Sequence, residues 1–158
     1  MRPKWTMLTC AALATALTVA LAAPAGSATR APSGVVFGGA TQQDWPVVVT
    51  LNKQRNRVDR VVIGLDMTCT SGDTFATNDG FQRVKLSKKG RFSASVAPER
   101  IDAGGTPADV ESKVIGRMGK GRSTMRGVWS LKVTFYDEAG ATVVDTCESG
   151  LVSWSAAQ

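Results

Sequence analysis

The segment at residues 125–136, MRGVWSLKVTFY, most constrains how this chain folds. Its odd-numbered positions are apolar or glycine, and most of its even-numbered positions are polar. Successive side chains of a β-strand point to opposite faces, so this alternation predicts a strand with one buried face and one exposed face. A helix would not gather the six odd-numbered residues into one stripe.

The N-terminal residues have the pattern of a secretory signal peptide. Arg2 and Lys4 form a positively charged start, residues 7–23 form an apolar segment, and small residues follow. A retained membrane anchor is the competing interpretation, but the apolar segment is at the short limit for crossing a bilayer and is rich in Ala and Thr rather than in Leu and Ile. The chain is therefore expected to be secreted, or associated with the cell envelope after export.

Small residues at Ala25 and Ala28 both fit a cleavage site, and cleavage after Ala28 is the preferred interpretation. The expected organisation is a signal peptide at 1–28, a flexible leader at 29–34 and a single β domain at 35–158. Cleavage would remove Cys10 and lower the formal net charge from +6 to +4. A mildly basic exported domain favours anionic partners without identifying one.

Two cysteines, Cys69 and Cys147, remain in the expected mature chain. In an exported protein an even number of cysteines indicates a disulfide, and only one pairing is possible here. A free thiol pair or intermolecular bridges are the alternatives. Residues 60–70 alternate so that Cys69 lies on the apolar face of a predicted strand, where a core disulfide would need it.

Short alternating or β-branched segments recur along the chain with turn-forming residues between them, which predicts an all-β fold of about eight to ten antiparallel strands. Residues 38–39 are expected to end a short first strand. Residues 71–80 are expected to be mainly turn, with room for a short strand around Phe75. Residues 98–108 are expected to be a long loop, with a single helical turn at residues 99–102 as the alternative. A β-sandwich is favoured. A closed β-barrel is the alternative, with bends at Gly64, Gly116 and Gly127.

Both cysteines begin the same short motif, Cys-x-Ser-Gly, at residues 69–72 and 147–150. A sharp turn after each half-cystine explains the repeat, and a functional pair of loops is the alternative. With the Gly-Arg-Phe at residues 90–92, the Gly-Arg-Met around Gly116 and the end of the chain at residues 147–156, the pattern resembles small exported all-β proteins of high-GC Gram-positive bacteria that have no assigned function. This resemblance implies export, a disulfide and a β fold, and it brings no catalytic residues.

The residues required for most hydrolytic and cofactor chemistry are missing from the sequence. The chain has no histidine, which excludes Ser-His-Asp and Cys-His catalysis and imidazole metal ligands. Gly-x-Ser-x-Gly, Ser-x-x-Lys, P-loop and dinucleotide motifs are also absent. The sequence therefore predicts a protein that is not an enzyme and has no cofactor, catalytic residue or metal ligand.

Carboxylates are the remaining candidates for chemistry. Asp66 and Asp145 lie on predicted strands and could form an acid pair of the kind that glycosidases use, although a structural role is the simpler interpretation. Asp73, Asn78 and Asp79 could gather a Ca²⁺ ion, but their spacing is not that of an EF-hand and turn formation explains them better.

Basic residues form three clusters that could bind a polyanion if they share one face. Solvation of hairpin loops and protection of sheet edges is the simpler explanation. Trp45, beside Pro46, is a weak candidate for a sugar-stacking platform, whereas Trp129 and Trp154 are expected in the core. The clusters are Lys53/Arg55/Arg57, Lys85/Lys88/Lys89/Arg91 and Arg117/Lys120/Arg122/Arg126.

The leading functional hypothesis is a secreted, non-catalytic binding or envelope-associated module of unknown ligand, with an anionic cell-envelope polymer or an extracellular protein as partner. An inhibitor of an extracellular enzyme, acting through the loop expected at residues 98–108, is the second hypothesis. A hydrolase that uses carboxylates is the third. No membrane span is expected after cleavage of the signal peptide.

Overall fold

The computed structural model describes residues 34–158, so the expected signal peptide and almost all of the expected leader lie outside the described residues. The described part has nine strands and no helix, and it therefore holds no helical segment that could cross a bilayer. All pairings are antiparallel, which confirms the predicted all-β class. The strands are β1 (Val35–Thr41), β2 (Pro46–Leu51), β3 (Arg57–Cys69), β4 (Thr74–Lys85), β5 (Arg91–Asp102), β6 (Pro107–Met118), β7 (Thr124–Tyr136), β8 (Val143–Glu148) and β9 (Val152–Ala157).

Eight of the strands form a continuous path in the order β4-β3-β2-β1-β9-β7-β6-β5. The two halves of this path pack against each other through aromatic side chains. Phe81 on β4, in the half β4-β3-β2-β1, lies with its ring centroid 5.2 Å from that of Trp129 on β7, in the half β9-β7-β6-β5. Within the second half, the ring centroids of Phe92 on β5 and Trp154 on β9 lie 6.3 Å apart. The ninth strand, β8, pairs with both β3 and β7 and joins the halves. Within residues 34–158 the path ends at β4 and β5, and all nine strands belong to one antiparallel sheet.

The predicted disulfide is confirmed. Cys69 and Cys147 are directly paired residues of β3 and β8, and their sulfurs are 2.02 Å apart. The bond joins residues 78 positions apart in sequence, at the place where β8 meets β3. In the chain-entropy model a loop of this length stabilises the fold by roughly 4–5 kcal/mol.

The core follows the alternation on which the strand predictions were based. On β7, Met125, Trp129, Leu131 and Val133 are buried, and Trp129 is fully excluded from solvent. On β3 the buried positions continue to the disulfide, as the alternation at residues 60–70 predicts. The buried side chains of both halves form one hydrophobic cluster.

Two segments expected to be irregular are strands. The prediction that residues 71–80 are mainly turn is wrong beyond Asp73, because β4 begins at Thr74 and continues for 12 residues. The expected loop at residues 98–108 is also wrong, because β5 runs to Asp102 and β6 starts at Pro107. Pro98 fits within β5 because this is an edge strand, and the register shifts there between Val96 and Glu99.

Glycines inside strands permit close approaches of neighbouring groups. The prediction that Gly38 and Gly39 end the first strand is wrong, because β1 continues to Thr41. A Cβ atom at Gly39 would lie 1.9 Å from the carbonyl oxygen of Ser155 on β9. Gly116 and Gly127 face each other across β6 and β7. Their missing side chains leave room for aromatic rings, because a Cβ at Gly116 would lie 2.3 Å from the Phe92 ring.

The edge strand β4 contains one residue in the left-handed region. Arg83 has φ of 56°, which is uncommon for a residue with a side chain of this size. The ladder between β4 and β3 has no pair at Arg83 and Asp59, although the register is the same on both sides of this gap. The strand is therefore locally distorted near its C-terminal end.

Candidate anion-binding groove

Three arginines form a cross-strand row on the exposed face of the β5-β6-β7 part of the sheet. Arg91 on β5 is paired with Arg117 on β6, and Arg117 is paired with Arg126 on β7. All three are exposed. Neighbouring strands lie about 4.8 Å apart, so three positive charges stand side by side on adjacent strands. These residues are called the arginine row below.

Among residues 34–158, no carboxylate forms an ion pair with the arginine row. The ion pairs among residues 34–158 are Arg57–Asp59, Arg100–Asp109 and Lys132–Glu148. None of them includes a residue of the row. Like charges placed directly opposite each other in an antiparallel pair are destabilising, and the row contains two such pairs in succession. The sheet therefore carries an electrostatic cost at this site.

The arginine row borders a depression of about 700 Å³, which is called the arginine basin. Its floor is formed in part by Gly116 and Gly127, and Ile115 and Val128 also line it. Its rim is fixed at Gln42: Ser153 Oγ donates to Gln42 Oε1 over 2.8 Å, and the Gln42 backbone N–H donates to the Ser153 carbonyl oxygen over 2.9 Å. The basin is therefore a shaped surface feature with charged and apolar parts.

Two further depressions, of about 800 Å³ and 530 Å³, continue from the arginine basin. The first shares the arginine row with the basin and adds Lys89 and Lys120. The second shares those two lysines and adds Lys88, Arg55 and Arg122. The three depressions together are called the basic groove. No Asp or Glu of the described part of the chain lines any of them.

A direct contact fixes two of the hairpin turns at the end of the basic groove. Arg122, in the β6–β7 turn, donates from Nη2 to the carbonyl oxygen of Arg55 in the β2–β3 turn over 3.2 Å. Both residues have positive φ, 57° and 53°, which is typical of tight turns. The structure thus brings members of all three predicted basic clusters to one surface. Lys53, Arg57 and Lys85 do not line the groove.

The acids singled out in the sequence serve local structure. Asp145 accepts hydrogen bonds from Thr70 Oγ1 (2.5 Å), Ser71 Oγ (2.8 Å) and the Thr146 N–H (2.7 Å). These donors, first the Thr70 and Ser71 hydroxyls, lower the pKa of Asp145 to about 2. A carboxyl group with this pKa is ionised at neutral pH and is not suited to general acid catalysis. Asp66 is exposed and is not among its partners.

Two of the acids weighed in the sequence as alternative calcium ligands have separate structural roles. Asp73 accepts from Ser71 Oγ over 3.2 Å in the turn before β4, whereas Asp79 lies within β4. Asp79 Oδ2 accepts from Ser112 Oγ and, over 3.0 Å, from Trp129 Nε1. Asp79 therefore ties β4 to β6 and β7, a role that the sequence did not indicate because residues 71–80 were interpreted as turn.

A cluster that the sequence did not reveal joins β5, β6 and β7 at their other ends. Asp109 Oδ1 accepts from Arg100 Nε over 2.5 Å, and Asp109 Oδ2 accepts from the Tyr136 hydroxyl over 2.7 Å. Arg100 also stacks on the Tyr136 ring, with its Cζ 4.0 Å from the centroid. The Arg100 bond lowers the pKa of Asp109, and the Asp109 bond raises the pKa of Tyr136. These satisfied partners indicate a structural contact between strands.

The remaining candidates also have structural surroundings. Trp45 is half-buried, and its backbone N–H donates to Thr41 Oγ1 over 3.1 Å. A Cβ at Gly64 would lie 3.0 Å from Trp45 Cβ, so the two residues are closely packed. In residues 34–158 the one group of three possible metal-ligating side chains is Cys69, Asp145 and Cys147, and its sulfurs are used by the disulfide.

Comparison with known proteins gives no relatives from which to infer function. No protein-family model, curated protein or solved structure matches the chain with significant similarity. The functional argument therefore depends on the residues of this chain.

Proposed function

We propose that this protein is an exported, non-catalytic binding module that holds an anionic polymer of the cell envelope along the basic groove. The observation that carries the proposal is the arginine row, in which Arg91, Arg117 and Arg126 stand on adjacent strands without a carboxylate partner. A bound anion would offset the repulsion between these charges. Each guanidinium also offers a planar set of donors that suits phosphate or carboxylate oxygens.

The shape of the basic groove favours a chain-like ligand. Its three depressions share lining residues, and cations occur along its whole length. A polymer with repeated anionic groups could contact the arginine row and the hairpin cations together. No aromatic side chain with an exposed ring lines the groove, so the site lacks the stacking platforms with which proteins hold single-stranded nucleic acids.

The alternatives have less support. The inhibitor hypothesis relied on a protruding loop at residues 98–108, but only residues 103–106 lie between β5 and β6. A carboxylate hydrolase would need two acids facing one cleft, whereas the basic groove has no acid in its lining. Binding of an anionic polymer by arginines on adjacent strands is the function that the geometry of this surface supports best.

The proposal is tested by titrating the mature protein with polyphosphate and, separately, with poly-glutamate over a range of NaCl concentrations. Arg117→Gln is expected to weaken polyphosphate binding about 5-fold, which corresponds to about 1 kcal/mol for one exposed charge pair. The triple variant with Gln at all three positions of the row should lose about 100-fold.

Arg60→Gln is the matched control, because Arg60 is an exposed strand arginine on β3 that does not line the groove. It should bind polyphosphate as the wild type does. The logarithm of the wild-type binding constant should also fall linearly as the logarithm of the salt concentration rises, because binding releases counterions from the polymer. Equal affinities of the triple variant and the wild type would refute the proposal.

A further inference from the structure

We infer that the arginine basin, within the basic groove, is a subsite for an amphiphilic phosphate, with the phosphate group on the arginine row and an aliphatic chain on Ile115 and Val128. The inference rests on the anion-binding role proposed for the row. It adds a second ligand element, an apolar chain, that an anionic polymer alone does not need.

The basin has a charged row and an apolar row side by side. Ile115 on β6 is paired with Val128 on β7, two residues from Arg117 and Arg126 along the same strands and on the same exposed face. Two residues of a strand span about 7 Å, so the centres of the rows are separated by about this distance. Ile115 is 46% exposed although it is a large aliphatic residue.

The floor beneath these rows offers little to a second polar group. Gly116 and Gly127 contribute backbone only, and the Trp154 ring lies against both of them. Trp154 is 3% exposed, and its Nε1 is buried without a hydrogen-bond partner among the described residues. The side chain of Ser153 already donates to Gln42. The exposed Ser155, paired with Arg126, adds a hydroxyl beside the arginine row. The part of the basin at Ile115 and Val128 fits an aliphatic chain better than a sugar or a peptide backbone, both of which need polar partners.

The size and charge of the basin agree with one small amphiphile. Its volume of about 700 Å³ is within the usual range of small-molecule sites. Three guanidiniums provide more donors than the two oxygens of a carboxylate can accept, whereas a phosphate monoester has three terminal oxygens and nearly two negative charges. A phosphate head group is therefore the better match to the arginine row.

The test measures binding of inorganic phosphate and of butyl, hexyl and octyl phosphate below their micellar concentrations, by titration calorimetry. A fully buried CH₂ group raises affinity roughly 4-fold. The basin is open on one side, so we expect about a 2-fold gain per CH₂. Octanoate should bind more weakly than octyl phosphate. Vesicles of phosphatidylcholine with and without phosphatidic acid then distinguish a membrane lipid from a dissolved amphiphile as the source of the phosphate.

Ile115→Ser should reduce octyl phosphate binding about 5-fold and leave inorganic phosphate binding unchanged. Val128→Thr, which keeps the shape of the side chain, should give a smaller loss in the same direction. The matched control is Ile101→Ser on β5, because Ile101 is 42% exposed and does not line the basin. It should leave both affinities unchanged.

The outcomes separate the subsite from the proposed function. If polyphosphate binds but the alkyl phosphates show no dependence on chain length, the subsite is refuted and the polymer-binding function stands. If neither polyphosphate nor inorganic phosphate binds, both the subsite and the proposed function are refuted. Equal binding of octanoate and octyl phosphate, or equal losses in Ile115→Ser and Ile101→Ser, would also overturn the inference.

Discussion

Replacing the central residue of the arginine row should make the protein more stable. Arg117 faces both Arg91 and Arg126, so Arg117→Gln removes two like-charge pairs. Such cross-strand pairs cost about 0.2–1 kcal/mol each. Coulomb's law gives about 0.7 kcal/mol for unit charges roughly 6 Å apart in water, which agrees with this range. The expected gain in the free energy of unfolding is therefore about 1 kcal/mol at low salt.

Urea unfolding in about 10 mM and about 1 M NaCl measures this gain. The Debye length falls from about 30 Å to about 3 Å between these conditions, so screening should remove most of the repulsion in high salt. For a domain of this size a gain of about 1 kcal/mol raises Tm by roughly 4 °C. The stabilisation should be clear in the low-salt titration and small in the high-salt one.

Arg60→Gln is the control for the change of side chain itself. Arg60 is paired with Thr50 on β2 and Gln82 on β4, so it has no like charge opposite it. The free energy of unfolding of Arg60→Gln should stay within about 0.5 kcal/mol of that of the wild type at both salt concentrations. If Arg117→Gln is no more stable than the wild type at low salt, or if its gain persists in high salt, the electrostatic account of the row is wrong.

Ligand addition should remove most of the stability difference between Arg117→Gln and the wild type, because a 5-fold weaker affinity corresponds to about 1 kcal/mol less stabilisation by the ligand. Polyphosphate at about 100 times its Kd stabilises a protein by about 2.7 kcal/mol if it binds the folded state alone. The wild type should gain more from this than Arg117→Gln, because the variant binds more weakly. A substitution that stabilises the free protein but weakens the complex would identify the arginine row as a functional feature that reduces stability.

Three further predictions concern the fold. Replacing Cys69 and Cys147 by alanine should lower the free energy of unfolding in urea by about 4–5 kcal/mol, and a midpoint close to that of the wild type would contradict this. Gly116→Ala should cost about 1–3 kcal/mol through overpacking, whereas Gly38→Ala, with no atom within 4 Å of the added Cβ, should be nearly neutral in the same titration. The pKa of Asp145 is about 2, below its ordinary value of 3.8, so its stabilising effect is complete above about pH 4 and is lost as the pH falls from 4 to 2. The free energy of unfolding of Asp145→Asn should therefore depend less on pH in that window than that of the wild type. The same pH dependence in both proteins would refute the assignment.

The fold could be predicted where apolar residues alternate strictly. The alternation of β7 and β3 identified the strands, the buried tryptophan at Trp129 and the disulfide partner at Cys69, because burial of one face fixes which residues point inward. The lengths of β4 and β5 were underestimated because strict alternation is missing there. They are edge strands with long polar stretches, and Asn78, Asp79 and Pro98 are residue types that usually indicate turns.

The candidate site could be predicted only in part. The basic clusters are visible in the sequence, but the arginine row depends on the register of three strands. A shift of one residue in β6 would move Arg117 to the opposite face. The apolar half of the basin could not be found from the sequence. Ile115 lies at an exposed position of β6, and a single exposed apolar residue in a strand does not indicate a binding site.

The distortion at Arg83 affects how neighbouring copies of the protein meet. A second molecule that aligned a strand with the open side of β4 would find regular backbone up to Gln82 and lose its alignment one residue later. A polymer that gathers many copies raises their local concentration, which is the condition under which open sheet edges fuse into ribbons. If the protein binds such a polymer as proposed, we expect the interrupted edge of β4 to disfavour this fusion between bound copies.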